Sequence, residues 1–447
     1  LVVLRDGLMV GHVEAKDVGH SLDQAERSEQ LERYLDSLPN VILTDYLEFR
    51  WYVDGELRRA ARLARVDRTG KLVEDTAGRK KVTGLIGDFL SHAPEPISTP
   101  KELAERMARL THLIRDVIIQ AFERDKASYT LRDLRKAFAA VLIPDIDEPE
   151  NTGQFADMYA QTITYGLFAA RCNHHGPARF RRLGAVDEIP KTNPFLRKLF
   201  ATITGPDLND EPYVGFVDDL VQLLAYAEIE EVLAHFGRRT RRQDPMVHFY
   251  ETFLATYDPE LRDRRGVHYT PEPIVSYIVR SVDYLLRTHF GLPGGLADTA
   301  TVEYEREEDG GESRKVEVTA PQVLLLDPAA GTATFLYAVI DLIRERFMQQ
   351  GNAGMWSGFV RQHLLPRIFG FELLMAPYAV AHFKLGMQLA GYDLSEAQRE
   401  LWAYDFASDE RLGIYLTNTL EEAERQVETM FGPLRVITEE ANAAAEV

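Results

Sequence analysis

The chain has 447 residues and a formal net charge of −19, from 51 Lys or Arg and 70 Asp or Glu residues. This length allows two or three domains, and the single cysteine, Cys172, excludes a disulfide framework and a cysteine-rich zinc site. No apolar run reaches membrane-spanning length and no signal peptide is recognisable, so we expect a cytoplasmic protein without membrane contact.

The excess of acidic residues disfavours a nucleic-acid partner, because phosphate contacts need local positive charge. Three basic clusters still supply such charge, and the alternative for each is a solvated face or loop. Their members are Arg58, Arg59, Arg62 and Arg65; Arg179, Arg181 and Arg182; and Arg238, Arg239, Arg241 and Arg242.

The N-terminal segment predicts a small α/β unit. Two β-like runs flank Asp6-Gly7, which is a strong hairpin signal, and the second run ends in Glu14-Ala15-Lys16. A carboxylate and a lysine at a strand end can hold Mg²⁺ and orient water, although an isolated Glu-x-Lys more often lies on a solvated strand face. A helix that carries Gln30 and Tyr34 and an alternating strand pair over 41–55 follow.

This order of elements resembles the PD-(D/E)xK nucleases of restriction enzymes, especially their Mrr-like branch. The resemblance implies catalytic roles for Glu14, Lys16 and Gln30, with Tyr34 as a further match and Glu14 as a ligand of Mg²⁺. The resemblance implies that the metal-binding aspartate of that family would fall at or just before Leu1. Asp6 lies in the predicted turn and is not assigned this role.

A helical region separates the two ends of the chain. A proline-rich boundary at 94–103 is followed by helical patterns at 102–123, 130–142, 152–170, 193–203 and 214–234. The histidines at His174, His175 and His268 have no acid or cysteine at ligand spacing, so no metal site is predicted there. We expect a nuclease-like domain at 1–90, a helical connector at 91–245 and a cofactor-binding part at 246–447.

The segment 322–335, QVLLLDPAAGTATF, predicts a buried strand, an acid at its end, a small-residue turn and a helix. This is the cofactor loop of a doubly wound sheet, but a dinucleotide fold would need more glycines than Gly331. Asp327 would repel a phosphate and suits an ammonium group, such as that of S-adenosylmethionine (SAM), while Glu372 suits its ribose. The alternative is an ordinary strand–turn–helix with an acidic cap.

A second element precedes this loop. Thr270 is expected to be an N-cap with Pro271 at the first helical position, and Ile274, Ile278, Val282 and Leu285 fall on one face. The free N–H groups at the helix start can receive a carboxylate, such as the methionine tail. The alternative is a well-capped core helix.

Together these residues resemble the SAM-binding half of γ-class N6-adenine DNA methyltransferases. The match comprises Gly266, Tyr269, Thr270 and Pro271, then Asp327, Pro328, Ala329, Gly331, Thr332 and Phe335, then Phe371 and Glu372. The resemblance implies cofactor binding by Gly266, Tyr269, Thr270, Asp327, Ala329, Gly331, Thr332, Thr334, Glu372 and Asn418, the last beside the adenine.

Two departures from that family stand out. Ala333 occupies a position that is usually glycine, which costs about 1 kcal/mol if the backbone needs a positive φ. The base-binding Asn/Asp-Pro-Pro-aromatic motif is absent, since Asn193-Pro194-Phe195 has one proline and precedes the cofactor loop. We therefore expect a fragment, with that motif and a target-recognition domain in a missing C-terminal region.

The expected fold class is α/β: a partial PD-(D/E)xK nuclease-like domain, a helical connector and the SAM-binding half of a Rossmann-like methyltransferase. This layout resembles single-chain restriction–modification enzymes of the type IIG kind and the ends of single-polypeptide type I enzymes, although no G-x-x-x-x-G-K-[ST] loop is present. It implies adenine-N6 methylation of double-stranded DNA coupled to Mg²⁺-dependent cleavage. The alternatives are a modification-only or phage-defence methyltransferase, and a non-catalytic DNA-binding scaffold.

Overall fold

The computed structural model describes residues 1–5, 8–67, 69–92, 97–174, 180–189, 192–203, 205–237, 245–258, 270–308, 314–406, 410–420 and 433–447. Within them the protein is a mixed α/β structure with several small sheets. No helix in this part of the chain is long and apolar enough to cross a membrane.

The N-terminal unit is built on a five-stranded sheet. Its strands, in spatial as well as chain order, are β1 (Val2–Arg5), β2 (Leu8–Ala15), β3 (Asn40–Thr44), β4 (Glu48–Val53) and β5 (Glu56–Arg62). Only β2 and β3 are parallel, and the crossover between them contains α1 (Leu22–Glu26) and α2 (Glu29–Ser37). The predicted hairpins of 1–19 and 41–55 are confirmed as antiparallel pairs, with Asp6 and Gly7 outside the described residues.

The two faces of this sheet pack on different partners. Helix α3 (Gly78–Ser91), which follows the hairpin β6 (Ala64–Val66) and β7 (Leu72–Glu74), places Val82, Leu85 and Phe89 against Ile42 and Ala61. On the other face, Val41, Leu43 and Tyr52 join the main apolar core. Strand β3 is therefore buried on both faces, which explains its continuous apolar sequence.

The middle region is helical, as predicted. Its helices are α4 (Pro100–Glu123), α5 (Tyr129–Val141), α6 (Thr152–Asn173), α7 (Ala185–Glu188), α8 (Pro194–Ile203), α9 (Val214–Tyr226), α10 (Ile229–Gly237) and α11 (Pro245–Tyr257). Helix α6 lies at the centre and is buried along nearly its whole length, including Cys172. The prediction of one helix over 214–234 was wrong, because Ala227 forms a β-bridge with Ile97 and separates α9 from α10.

The C-terminal region contains a three-stranded parallel sheet in the order β10–β11–β12. Its elements are α12 (Glu272–Thr288), the hairpin β8 (Thr301–Glu308) and β9 (Arg314–Pro321), β10 (Leu325–Asp327), α13 (Thr334–Gln349), α14 (Ala353–Phe359), β11 (Ile368–Glu372), α15 (Met375–Leu389), α16 (Glu396–Trp402), β12 (Ile414–Leu416) and α17 (Pro433–Ala445). Single turns of 3₁₀ or π helix occupy Pro144–Asp147, Pro149–Asn151, Pro206–Asp210, Gly295–Ala297, Val360–Leu364 and Leu365–Arg367.

Two sequence expectations were wrong in this region. The strand before the cofactor loop is shorter than predicted, and Leu324 and Leu326 are 55% and 49% exposed instead of buried. Leu324 and Leu326 are two residues apart and share one face of the chain, whereas Val323 on the opposite face is 8% exposed.

The buried face of α12 also differs from the prediction. The expected face at Ile274, Ile278, Val282 and Leu285 is exposed, and the buried residues are Val275, Val279 and Asp283. Asp283 is 2% exposed, pairs with Arg346 of α13 and accepts a hydrogen bond from Leu296 N at 3.0 Å. This buried carboxylate fixes the rotation of α12 against α13, and apolar periodicity alone does not detect it.

Candidate cofactor-binding site

Two carboxylates lie at the same edge of the parallel sheet. Asp327 ends β10 and Glu372 ends β11, and the two strands pair in parallel with Asp327 opposite Gly370. In a parallel sheet the carboxyl ends of neighbouring strands meet at one edge, which is where α/β folds bind ligands. The predicted pair of acids is thus brought together.

The loop after β10 closes onto β11 through backbone hydrogen bonds. Gly331 N donates to Glu372 Oε2 at 2.8 Å, and Ala330 N donates to Phe371 O at 2.8 Å. The second Glu372 oxygen, Oε1, accepts from Leu374 N at 2.8 Å. Glu372 therefore orders the turn before α13 and the turn before α15.

The electrostatics of the two acids are coupled. Burial raises the pKa of Glu372, and the charge of Asp327 raises it further, while backbone N–H groups lower it. Burial also raises the pKa of Asp327, against a single opposing hydrogen bond from Ala329 N to Oδ1 at 3.3 Å. Among the described residues, Asp327 Oδ2 is buried and has no hydrogen-bond partner. A buried acceptor of this kind is costly unless a donor reaches it.

The backbone of the loop is strained. Gly331 has φ 55°, and Ala333, the residue before α13, has φ 59° and ψ 39°. Ala333 thus has the left-handed conformation that glycine adopts most easily, and for a residue with a Cβ this conformation costs about 1–2 kcal/mol. Strain of this kind concentrates at binding and catalytic sites.

A lysine behind the loop was missed by the sequence reasoning. Thr332 is buried, and its Oγ1 lies 3.5 Å from Thr334 Oγ1. Lys384 of α15, which is 3% exposed, donates from Nζ to Thr334 Oγ1 at 3.4 Å and lies 5.0 Å from the centre of the Tyr337 ring. The signal available in the sequence was a single lysine in the mostly apolar stretch 373–391.

The loop after β12 reaches the same edge. Thr419 Oγ1 donates to Pro328 O at 2.7 Å, and Thr417 N donates to Glu372 O at 3.0 Å. Between them, Asn418 is half-buried and accepts from Leu420 N at 3.1 Å. Asn418 is therefore held near Asp327 and Glu372, and Thr419 is a second residue of this edge that the sequence reasoning missed.

The segment from Gly266 into α12, which was predicted to precede the cofactor loop, lies only in part within the described residues. Gly266 and Tyr269 lie outside the described residues. Thr270 is half-buried, but α12 begins at Glu272 with Pro271 as its N-cap and no side-chain cap hydrogen bond. The predicted Thr270 cap was wrong, because the chain enters the helix one residue later than expected.

The predicted nuclease residues separate into two groups. Lys16 Nζ lies 2.7 Å from Glu14 Oε1 at the end of β2, and Lys16 N donates to Thr44 O at 2.8 Å. Gln30 is exposed on α2 and donates to Tyr34 OH at 3.1 Å, and the described contacts include none between Gln30 and either Glu14 or Lys16. No group of three or more His, Cys, Asp or Glu side chains in the described part of the chain is arranged to hold a metal ion.

A partly exposed charge network lies on the face of the N-terminal sheet that carries Glu14. Arg50 is opposite Leu43, which is opposite Glu14, so the three side chains share a face. Arg50 binds Asp23, Glu26 and Glu48 at 2.6–2.7 Å, and its pKa is raised because these hydrogen bonds outweigh its burial.

The basic clusters are largely paired with acids. On β5, Arg58, Arg59 and Arg62 each contact a carboxylate, and Arg182 lies 2.9 Å from Asp218. Arg179 and the cluster at 238–242 lie outside the described residues. His174 pairs with Glu188 at 3.1 Å, while His175 and His268 also fall outside.

No protein-family model and no curated protein matches the chain. Several solved structures are similar to it, and they include the following three. One is a DrdV–DNA complex determined by cryo-EM, with 20% identity and a TM-score of 0.44 over 98% of this chain and 35% of that chain. A second is a nuclease-deletion mutant of the Type ISP restriction-modification enzyme LlaGI in complex with a DNA substrate mimic. It has 18% identity and a TM-score of 0.46, over 81% of this chain and 24% of that chain. The ATP-dependent Type ISP restriction-modification enzyme LlaBIII bound to DNA has 17% identity and a TM-score of 0.47, over 81% of this chain and 21% of that chain.

All three similar structures are thus complexes with DNA or a DNA mimic, and two are named as restriction-modification enzymes. This chain spans 35%, 24% and 21% of their lengths. At these identities and TM-scores, the similarities do not assign the chain to a family.

Proposed function

We propose that this chain carries the SAM-binding part of a DNA methyltransferase that modifies adenine N6, joined to a Mg²⁺-dependent endonuclease in a cytoplasmic restriction–modification enzyme. The observation that carries this proposal is the pair of coupled carboxylates, Asp327 and Glu372, at adjacent parallel strand ends. Among the described residues, Asp327 has a buried carboxylate oxygen without a hydrogen-bond partner.

The donor set of the site fits SAM. Asp327 Oδ2 can accept from the ammonium group of the methionine part, which removes the cost of leaving this oxygen unpaired. Glu372 accepts hydrogen bonds from the backbone N–H groups of Gly331 and Leu374, and a carboxylate has enough lone pairs to accept a ribose hydroxyl as well. Asn418 offers an amide to the adenine. A dinucleotide fits less well, because Asp327 would repel its pyrophosphate.

The role of these residues is to bind and orient. SAM supplies an electrophilic methyl group on its sulfonium. An exocyclic amine is a weak nucleophile, so the rate depends on holding the reacting groups in line, and a rigid, strained loop serves that purpose. The proposed substrate is double-stranded DNA, and a motif for the target base is not among the residues of this sequence.

Calorimetry with SAM tests the cofactor site. Asp327→Asn and Glu372→Gln should each weaken binding by about tenfold or more, because each removes a charge-assisted hydrogen bond. The control is Glu345→Gln, an exposed acid on α13, which should bind as the wild type does. Absence of binding by the wild-type chain would favour the non-catalytic DNA-binding scaffold.

Transfer of labelled methyl groups tests the reaction class. The full-length protein should move label from SAM to double-stranded DNA, with N6-methyladenine as the modified base in mass spectrometry of the digested DNA. Asp327→Asn should lose this transfer at SAM concentrations that saturate the wild type. Label found on cytosine would contradict the proposal.

The endonuclease part rests on Glu14 and Lys16. Glu14 offers a single carboxylate that already contacts Lys16, and the described residues do not form a complete Mg²⁺ site. In the full-length protein, Glu14→Gln and Lys16→Ala should abolish Mg²⁺-dependent cleavage while SAM binding is retained. Cleavage that is unchanged in both variants would favour the modification-only alternative.

A further inference from the structure

The turn between β3 and β4 lies at the same edge of the N-terminal sheet as Glu14 and Lys16. Strands β2 and β3 run parallel, with Ala15 opposite Thr44, and Lys16 N donates to Thr44 O at 2.8 Å. The residues that follow Thr44 therefore lie beside the two proposed nuclease residues. A substrate held by Glu14 and Lys16 has to approach this turn.

Tyr46, in this turn, combines a strained backbone with an exposed side chain. Its φ is 67°, and the residue is 54% exposed. A left-handed backbone is rare for a bulky residue, and glycine or asparagine adopts it with less strain. An exposed ring gains little from burial that could offset this strain. The stability of the fold therefore does not account for a tyrosine at this position.

Two buried polar side chains hold the turn in place. Thr44 Oγ1 accepts from Tyr46 N at 2.9 Å and donates to Glu48 O at 2.7 Å. Asp45 is 6% exposed, and its Oδ1 accepts from the N–H groups of Leu47 and Glu48 at 3.0 and 2.7 Å. Strained residues that their surroundings fix in this way concentrate at binding and catalytic sites.

Asp45 also fastens the loop that follows Lys16. Its second oxygen, Oδ2, accepts from Gly19 N at 3.2 Å, and Val18, the residue before, is 61% exposed. An exposed aromatic and an exposed aliphatic side chain thus lie on two adjacent, connected loops next to Lys16.

The acidic side chains near this edge are paired with cations. Glu14 lies 2.7 Å from Lys16, and Arg50 pairs with Glu26 and Glu48 at 2.6 and 2.7 Å. Because each of these carboxylates contacts a cation, they repel a phosphate backbone less than isolated acids would.

We propose that Tyr46 is a DNA-contact residue of the endonuclease site and that its ring stacks on a base of the strand presented to Glu14 and Lys16. Every base has a π-face, so such stacking tolerates any sequence, and it is worth about tenfold in affinity per base. Val18 supplies an apolar contact beside it. The inference rests on the proposed endonuclease function, which makes DNA the substrate at this edge.

Photocrosslinking tests the contact without cleavage. The full-length protein is mixed with unmodified duplex DNA in which 5-iododeoxyuridine replaces thymidine, and Ca²⁺ replaces Mg²⁺ so that the DNA stays intact. Irradiation should join the DNA to Tyr46, as located by mass spectrometry of the digested protein, and Tyr46→Ala should lose most of this crosslink. Tyr129→Ala, at a tyrosine of α5 that is 82% exposed, is the matched control and should crosslink as the wild type does.

Cleavage kinetics separate the ring from its hydroxyl group. In the full-length protein with Mg²⁺, Tyr46→Ala should lower kcat/KM by about tenfold, and Tyr46→Phe should cleave as the wild type does, because stacking needs only the ring. Cleavage that does not depend on Glu14 would overturn the endonuclease proposal and leave the crosslink to decide the contact. Glu14-dependent cleavage that is unchanged in Tyr46→Ala, with no crosslink at Tyr46, would overturn this inference alone.

Thermal unfolding distinguishes a substrate contact from a structural role. Tyr46→Gly removes the strain and the ring together, so it should raise Tm by about 1–2 °C while the crosslink is lost. A lower Tm for Tyr46→Gly would show that the fold needs the ring, and the inference of a side chain held out for DNA would then be wrong.

Discussion

At the residue scale, Asp327 lies in a buried environment that disfavours its charged form, and its proposed role is to bind the ammonium group of SAM. Burial raises the pKa of Asp327, so its neutral form is favoured more in the folded chain than in the unfolded chain. Its contribution to stability is therefore present at low pH and is lost as pH rises through the raised pKa. Asp327→Asn should be more stable than the wild type at pH 7 without ligand, and the difference in Tm should shrink as pH falls toward 4. A difference that is independent of pH would contradict this account.

The strained loop offers a second test at this scale. Gly331 has φ 55° and open space where a Cβ would point, so Gly331→Ala measures backbone strain alone. We expect a loss of about 1 kcal/mol in the free energy of unfolding, measured by urea denaturation. The matched control is Gly354→Ala in α14, which also meets no neighbouring atoms and should stabilise by about 0.5–1 kcal/mol. Equal changes in the free energy of unfolding for Gly331→Ala and Gly354→Ala would contradict the proposed backbone strain at Gly331.

At the element scale, the sequence located α12 but not its buried face. A strong apolar periodicity singled out Ile278, whereas the structure buries Val279 at 5% exposure and leaves Ile278 at 40%. Val279→Ala should cost about 1.5–2 kcal/mol, from two buried carbons at about 0.8 kcal/mol each, and Ile278→Ala less than about 1 kcal/mol. Thermal unfolding of the two variants distinguishes the structure from the sequence-based expectation, which gives the opposite order.

The same comparison shows which features the sequence can predict. The positions of Asp327, Gly331 and Glu372 at strand ends and in a loop could be predicted from the sequence, because local residue patterns determine where a strand stops and a helix begins. Lys384 and Thr419 were missed, since they reach the site only when α15 and the loop after β12 pack against it. The Asp283–Arg346 pair was missed for a similar reason, as its partners are far apart in the chain.

At the scale of the whole molecule, one apolar core links the three predicted segments. It includes Leu31 and Leu43 near the N-terminus, Phe168 in α6 and Leu416 in β12. The domain boundaries at 90 and 245 remain a prediction, but a continuous core favours cooperative unfolding across them.

Ligand binding tests this cooperativity. SAM at 100 times its Kd should stabilise the folded chain by about 2.7 kcal/mol. If the chain unfolds as one unit, slowly exchanging amides of β3 in the N-terminal sheet should gain as much protection in hydrogen exchange as those of β11, because both exchange through the same global opening. Asp327→Asn should lose both gains together. Protection gained in β11 but not in β3 would show that the N-terminal sheet opens independently, and SAM binding would then not be transmitted to Glu14 and Lys16 through the shared core.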